Sequence, residues 1–314
     1  MAKTELFAEW LGGNILAITN QAFTTGRHFF VNSATGTVLS GAGLSPDRPI
    51  TTINGAIALC TAGRGDKIWV MPGHAETIAG AAGVSLTKSD VSIIGLGQGD
   101  NRPTLTFSAA ASDINVSAEN CLIQNLKLVS SVNNLANFID ADAGNLTVRG
   151  VTMVTSSLKE AYAFVDIATT KDDFLFEDCV FLQPTDPEGT NAAAGTGAIH
   201  CVDTERITIR RCHFEGQFET AIVHNLTTKV QQLVIEDSYL HQLLVADGKL
   251  LILVAASSGI IKGSVGVNEG GATAGVADLV GTNGIAFWLS ADSSFGNDSG
   301  GGGQLCAPGD VVCS

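Results

Sequence analysis

Positive charge is scarce in this chain: 17 Lys and Arg stand against 31 Asp and Glu, for a net charge of −14. Such a surface repels phosphate backbones and anionic lipid headgroups, so neither nucleic acid nor a membrane is expected as a partner. Long apolar runs are also missing, and none reaches the ~18 residues of a membrane span. The opening Met1-Ala2-Lys3-Thr4-Glu5-Leu6-Phe7-Ala8-Glu9-Trp10 puts two acids where the apolar core of a secretory signal would run, and synthesis in a cytoplasm is expected. Platforms for sugar rings are few, with 3 Trp and 2 Tyr beside 14 Phe. The 7 cysteines are scattered and make no disulfide framework. Cys179 and Cys212 read as small inward hydrophobes, while Cys306 and Cys313 could pair in an oxidising medium. His200-Cys201 and Cys212-His213 lack the ligand spacing of a zinc site, so neither a metal nor a cofactor is expected.

What the chain does have is a repeat. Cys121 to Leu128, Leu146 to Met153, Phe174 to Phe181, Ile207 to Phe214 and Leu233 to Leu240 share one apolar and polar pattern. Registered on Asn125, Gly150, Asp178, Arg211 and Asp237, they follow at spacings of 25, 28, 33 and 26 residues, the length of one coil of a parallel β-solenoid. Strand alternation then puts three columns on one inner face. These are Cys121, Leu146, Phe174, Ile207 and Leu233; Ile123, Val148, Phe176, Ile209 and Ile235; and Leu128, Met153, Phe181, Phe214 and Leu240. The outward column Gln124, Arg149, Glu177, Arg210, Glu236 alternates in charge, so neighbouring coils attract.

A second strand precedes each segment, near Phe138, Phe164, Ile199, Ile222 and Leu251. Its alternation fails, because apolar residues stand side by side in Phe138-Ile139, Phe164-Val165, Ile222-Val223 and Leu250-Leu251-Ile252-Leu253-Val254. A strand apolar on both faces is usually covered on both. The inner side is the core and the outer cover is a loop or another subunit, so Ile139, Val165, Val223 and Ile252 are the candidates for a subunit interface. The same strand carries Asp140, Asp142 and Asp166, with His200 and His224 further on. Adjacent coils lie about 4.8 Å apart, so Asp140 and Asp166 approach the separation of a retaining glycosidase pair and are the candidate catalytic residues of an enzyme reading. As strand-end acids they would have no catalytic role.

Near the start, Ile53, Ala56, Ile57 and Cys60 follow helical spacing, and Gly65 to Gly73 reads as loop, strand and Pro-Gly stop. This run resembles the opening of right-handed parallel β-helix proteins of the pectate-lyase-like group, in which a helix plugs the first coil. The resemblance implies an all-β fold: a right-handed single-stranded parallel β-helix with a short N-terminal capping helix. Three regions follow: an apolar N-terminal arm over 1–27 that either anchors the protein or covers the base of the coil, the solenoid over 28–267 and a Gly/Ala-rich cap or tail over 268–314.

The runs Phe29-Phe30-Val31-Asn32-Ser33-Ala34-Thr35-Gly36, Gly43-Leu44-Ser45-Pro46-Asp47-Arg48-Pro49 and Gly73-His74-Ala75-Glu76-Thr77 look like β-helix proteins from the structural modules of tailed phages. That resemblance implies a virion structural protein, in that setting typically a homotrimer that decorates the capsid or forms spikes on the tail; receptor-degrading tailspikes usually carry a longer solenoid and an elaborate trimerisation domain, so a capsid decoration or cement protein on the virion surface is the expectation here. It would bind the major capsid protein through its N-terminal region, with Leu6, Phe7, Trp10 and Leu11 as the binding residues. The rival expectation is a tailspike or other carbohydrate-active protein that binds or cleaves a glycan.

Overall fold

The computed structural model describes residues 26–156, 159–184, 197–225, 228–243, 249–253, 257–269, 286–290 and 292–297. Three parallel sheets of ten, nine and seven strands run the length of the stack, and a two-stranded ribbon, Thr204–Glu205 with Val230–Gln231, lies beside them. Each coil visits the sheets in one order. Cys121–Gln124 lies in the first sheet, Lys127–Ser130 in the nine-stranded one and Ile139–Ala141 in the seven-stranded one, before Leu146–Arg149 returns to the first. We call these the first, third and second sheets.

The repeat of the sequence is the turn between the first and third sheets. Asn125, Gly150, Asp178, Arg211, Asp237 and Gly263 all sit at that corner with φ between 48° and 58°. Left-handed backbone favours Gly, Asn and Asp, which explains five of the six. Arg211 is the sixth, and it is held by Asp178 one coil below, Nε to Oδ1 2.8 Å. A matching column, Asp90, Asn120, Asn145, Asp173, Arg206 and Gln232, is left-handed where the chain re-enters the first sheet. Arg206 is likewise paired with its column neighbour Asp173, at 2.6 Å.

The three predicted apolar columns all lie in the core, with Leu146 over Cys121, Ile207 over Phe174 and Ile209 over Phe176 in register. Phe rings stack within it, Phe181 on Phe214 at 4.4 Å and Phe138 on Phe164 at 5.3 Å. Cys179 and Cys212 are buried on the same inner side, as expected, and the column continues upward as Ser238 and Ser264. There the serine hydroxyls accept the backbone N–H of the residue below, Cys212 to Ser238 and Ser238 to Ser264, both at 3.2 Å. The charge column is in register too: Gln124, Arg149, Glu177, Arg210, Glu236, Lys262.

One expectation is corrected. Ile139, Val165 and Val223 are fully buried core residues, so they form no outer interface. The second-sheet ladder pairs Ala163 with Gly197 and Val165 with Ile199 but skips Phe164, and it skips Ala198 and Ile222 in the next two coils. At this bend two successive side chains enter the core, as a bulge allows. The doubly apolar run thus reports a corner of the coil. Ile252 alone of the four lies in the outer column, beside His224.

The solenoid also extends past its predicted upper boundary at 267. Ala286–Leu289 pairs with Ser258–Ile261, and Ser294–Asn297 pairs with Val265–Asn268. At the other end the helix Ile53–Leu59 buries Ile53, Ala56 and Ile57, with Thr52 capping it by accepting the Gly55 N–H. Leu6, Phe7, Trp10, Leu11, Cys306 and Cys313 lie outside the described residues.

Candidate functional site

The outer face of the second sheet gathers the acids and histidines singled out in the sequence. Parallel pairing sets Ser85, Asn115, Asp140, Asp166, His200 and His224 in one column, with Ile252 above them. Asp140 and Asp166 therefore occupy neighbouring rungs, about 4.8 Å apart along the stack. His200 Nδ1 lies 2.7 Å from Asp166 Oδ1, and the His200 and His224 rings meet at 4.9 Å. Asn115 Nδ2 donates to Asp140 Oδ2 at 3.2 Å and to Asp142 Oδ2 at 2.7 Å. Gly197 leaves room for the His224 ring, since a Cβ there would stand 2.4 Å from its Cδ2.

Burial pushes the Asp140 carboxyl up to about 6, and the neighbouring charge of Asp142 adds to the shift; Asn115 opposes both, while Asp166 and Asp113 raise it further. Asp113 is raised as well, chiefly by burial, against the hydrogen bond it accepts from the Ala82 N–H. A carboxyl poised near 6 can give or take a proton at neutral pH. Beside it stands Asp166 with its histidine partner. The column thus sets a carboxyl of raised pKa one rung from an acid–histidine pair.

Tyr239 lies on the third sheet, its ring 5.0 Å from His213 and edge-on to His241, away from this column. Among the described residues no three His, Cys, Asp or Glu side chains converge as metal ligands. Asn115 and Asp113 were not singled out as part of the site from the sequence. The signal was there for Asn115, since the same 25-residue step leads from Asn125 to Gly150 and from Asn115 to Asp140.

His74-Ala75-Glu76, which has the H-x-E pattern of zinc deaminases, does structural work at the base. His74 Nδ1 accepts the Ser33 N–H at 3.0 Å, and His74 Nε2 lies 3.1 Å from Glu76 Oε2. That same carboxylate oxygen accepts the Ile53 N–H at 3.0 Å, at the start of the helix. The Ser33 hydroxyl accepts the Ala75 N–H at 3.0 Å. Three stretches separated in sequence are tied into one knot.

No protein-family model matches the chain, and no curated protein matches it in sequence. Solved structures do. The chain is similar to the pectate lyase Pel9A at 13% identity and a TM-score of 0.55, over 87% of this chain and 79% of that one. It is similar to a rhamnogalacturonan lyase at 12% identity and a TM-score of 0.50, over 85% and 74%. It matches the Geobacillus virus E2 protein ORF18 at 12% identity and a TM-score of 0.40, over 86% and 61%, a likeness too loose to bear on function. At these identities the likeness defines the fold, which is the pectate-lyase-like right-handed parallel β-helix; that fold hosts many unrelated activities.

Proposed function

We propose that this chain is a structural protein of a tailed-phage virion: a capsid decoration protein that sits on the shell as a homotrimer and binds the major capsid protein through its N-terminal region. The observation that carries the reading is the base knot. The residues in which the sequence resembles phage β-helix proteins, Ser33, His74 and Glu76 among them, hold the first coil and the plugging helix together. They tie the loop, the helix and the strand Ala75–Ile78 together near the start of the described chain. The trimer rests on the resemblance alone, now that Ile139, Val165 and Val223 are core residues. Co-sedimentation with shells of the major capsid protein tests the role. Full-length protein is expected in the pellet, and protein lacking residues 1–20 in the supernatant. A truncated protein that pellets equally well would overturn attachment through the arm.

The column of Asp140 and Asp166 favours a second reading, in which the chain binds or cleaves a polysaccharide, the substrate class of the lyases it resembles in fold. A glycan screen separates the two. Depolymerisation that disappears in the Asp140→Asn/Asp166→Asn double variant would establish the enzyme; decoration predicts no cleavage and unchanged shell binding in that variant.

A further inference from the structure

The first sheet carries a lysine without a counter-ion. Lys67 stands in the outer column of that sheet, between His28 on the strand below and Ser92 on the strand above. It is only 9% exposed, and its ammonium pairs with no acid among the described residues. Lysine is almost never this buried unless paired, and the chain has acids to spare, 31 against 17 Lys and Arg. Lys229 and Lys262 show the ordinary arrangement, paired with Glu205 at 3.8 Å and Glu236 at 2.8 Å. The carboxylate next to Lys67 in sequence is already taken. Asp66 accepts the Arg27 and Thr61 N–H groups, each at 2.7 Å, and two more hydrogen bonds from Arg64 at 2.6 Å, which fills the four acceptor sites of a carboxylate.

The other neighbours of Lys67 are apolar or basic. Two positions on, Trp69 shares the outer face and packs with Phe30 and Ile94. Its indole Nε1 donates to His28 Nδ1 at 2.8 Å, which leaves the His28 proton on Nε2 and no free acceptor on that ring for Lys67. Burial lowers the Lys67 ammonium from its ordinary range. Burial also lowers His28, with the Lys67 charge adding to the effect and Asp66 opposing it. An amine that is desolvated, unpaired and beside a second basic group is in the setting where lysine acts as a nucleophile. So little of its surface is open that only a small or slender reagent fits.

We propose that Lys67 is a carbonyl-capturing amine, the site at which this chain forms an imine with an aldehyde. The neutral amine attacks the carbonyl carbon and the C–N bond forms. The carbinolamine then loses its hydroxyl and the remaining nitrogen proton as water, which leaves a C=N bond without any change of oxidation state. The aldehyde is either a small molecule or the open-chain end of a sugar, and the site depends neither on shell binding nor on the Asp140 column. Full-length protein treated at pH 7 with cyanoborohydride and either glyceraldehyde or maltotriose tests it, with each lysine followed by peptide mapping. Lys67 is expected to be captured about fivefold faster than the exposed Lys127. It should lead Lys262 by more, because Glu236 holds that ammonium protonated. Capture of both reagents supports a sugar end as the ligand, and capture of glyceraldehyde alone supports small aldehydes. Unfolding in urea should erase the lead. Lys67→Arg, which keeps the charge, should lose the fast phase of labelling and melt as wild type does. Labelling of Lys67 no faster than Lys127, a lead that survives urea, or a fast phase that remains in the Arg variant would overturn the proposal.

Discussion

Two acids on neighbouring sheets respond to their surroundings in opposite ways. Glu177 on the first sheet is buried, which by itself raises its carboxyl, but hydrogen bonds from Arg211, Arg149 and Arg210, with the charge of Arg149, outweigh burial and hold it below the usual range. Arg149 Nε reaches it at 2.5 Å and Arg210 at 2.6 Å, and Arg211 completes the cluster. Its contribution is present above the unfolded value near 4.3 and is lost as pH falls through the folded one. Glu177→Ala leaves three guanidinium groups facing each other, and chemical denaturation at pH 7 should show a loss of about 3 kcal/mol.

Asp140 has the reverse sign. Its folded value of about 6 lies above the unfolded one, so the native state holds the extra proton between pH 4 and 6 and stability falls as pH rises through that window. Asp140→Asn should therefore be more stable than wild type at pH 7.5, by about 1 kcal/mol once solvent screening is allowed for, and equal to it near pH 4. Unfolding curves at the two pH values check this. A variant less stable at pH 7.5 would mean that the acid is held charged by a partner.

At the scale of the strand, the stack owes its cohesion to like-on-like columns. Phe176 lies between Val148 and Ile209, fully buried. Replacing it with Asp puts a charge in the core with no partner, at a cost of several kcal/mol, and should lower the melting temperature steeply or abolish folding. The corner of the second sheet makes a sharper test. Val165 faces the core, so Val165→Asp should destroy the protomer fold. Circular dichroism and light scattering distinguish that from a well-folded monomer released from an oligomer. The latter outcome would restore Val165 to an interface.

For the molecule as far as it is described, four of the five exposed large apolar side chains, Val38, Leu39, Leu44 and Leu59, lie on the first loop or the plugging helix. Solution mass measurement should report three chains per particle if the trimer holds, and a stable monomer would remove it from the proposed function. The arm and the oligomer are separable: loss of residues 1–20 should leave every described column intact, so the truncated chain should melt as wild type does.

The coil spacing, the inner columns, the charge ladder and the plugging helix were all legible in the residues, because a solenoid repeats one local pattern and each coil packs only on its neighbours. Even the stacking of Asp140 with Asp166, His200 and His224 followed from counting residues between coils. The orientation of Val165 and Val223 did not follow, since strict alternation fails at a bend whose position depends on how the second and third sheets meet. Nor did the fate of His74 and Glu76: their partners Ser33 and Ile53 are brought to them only when the loop, helix and first strands close the base. Periodicity sets what repeats along the axis; contacts made once, at a corner or an end, arise from chain segments distant in sequence and exist only after the coil has formed.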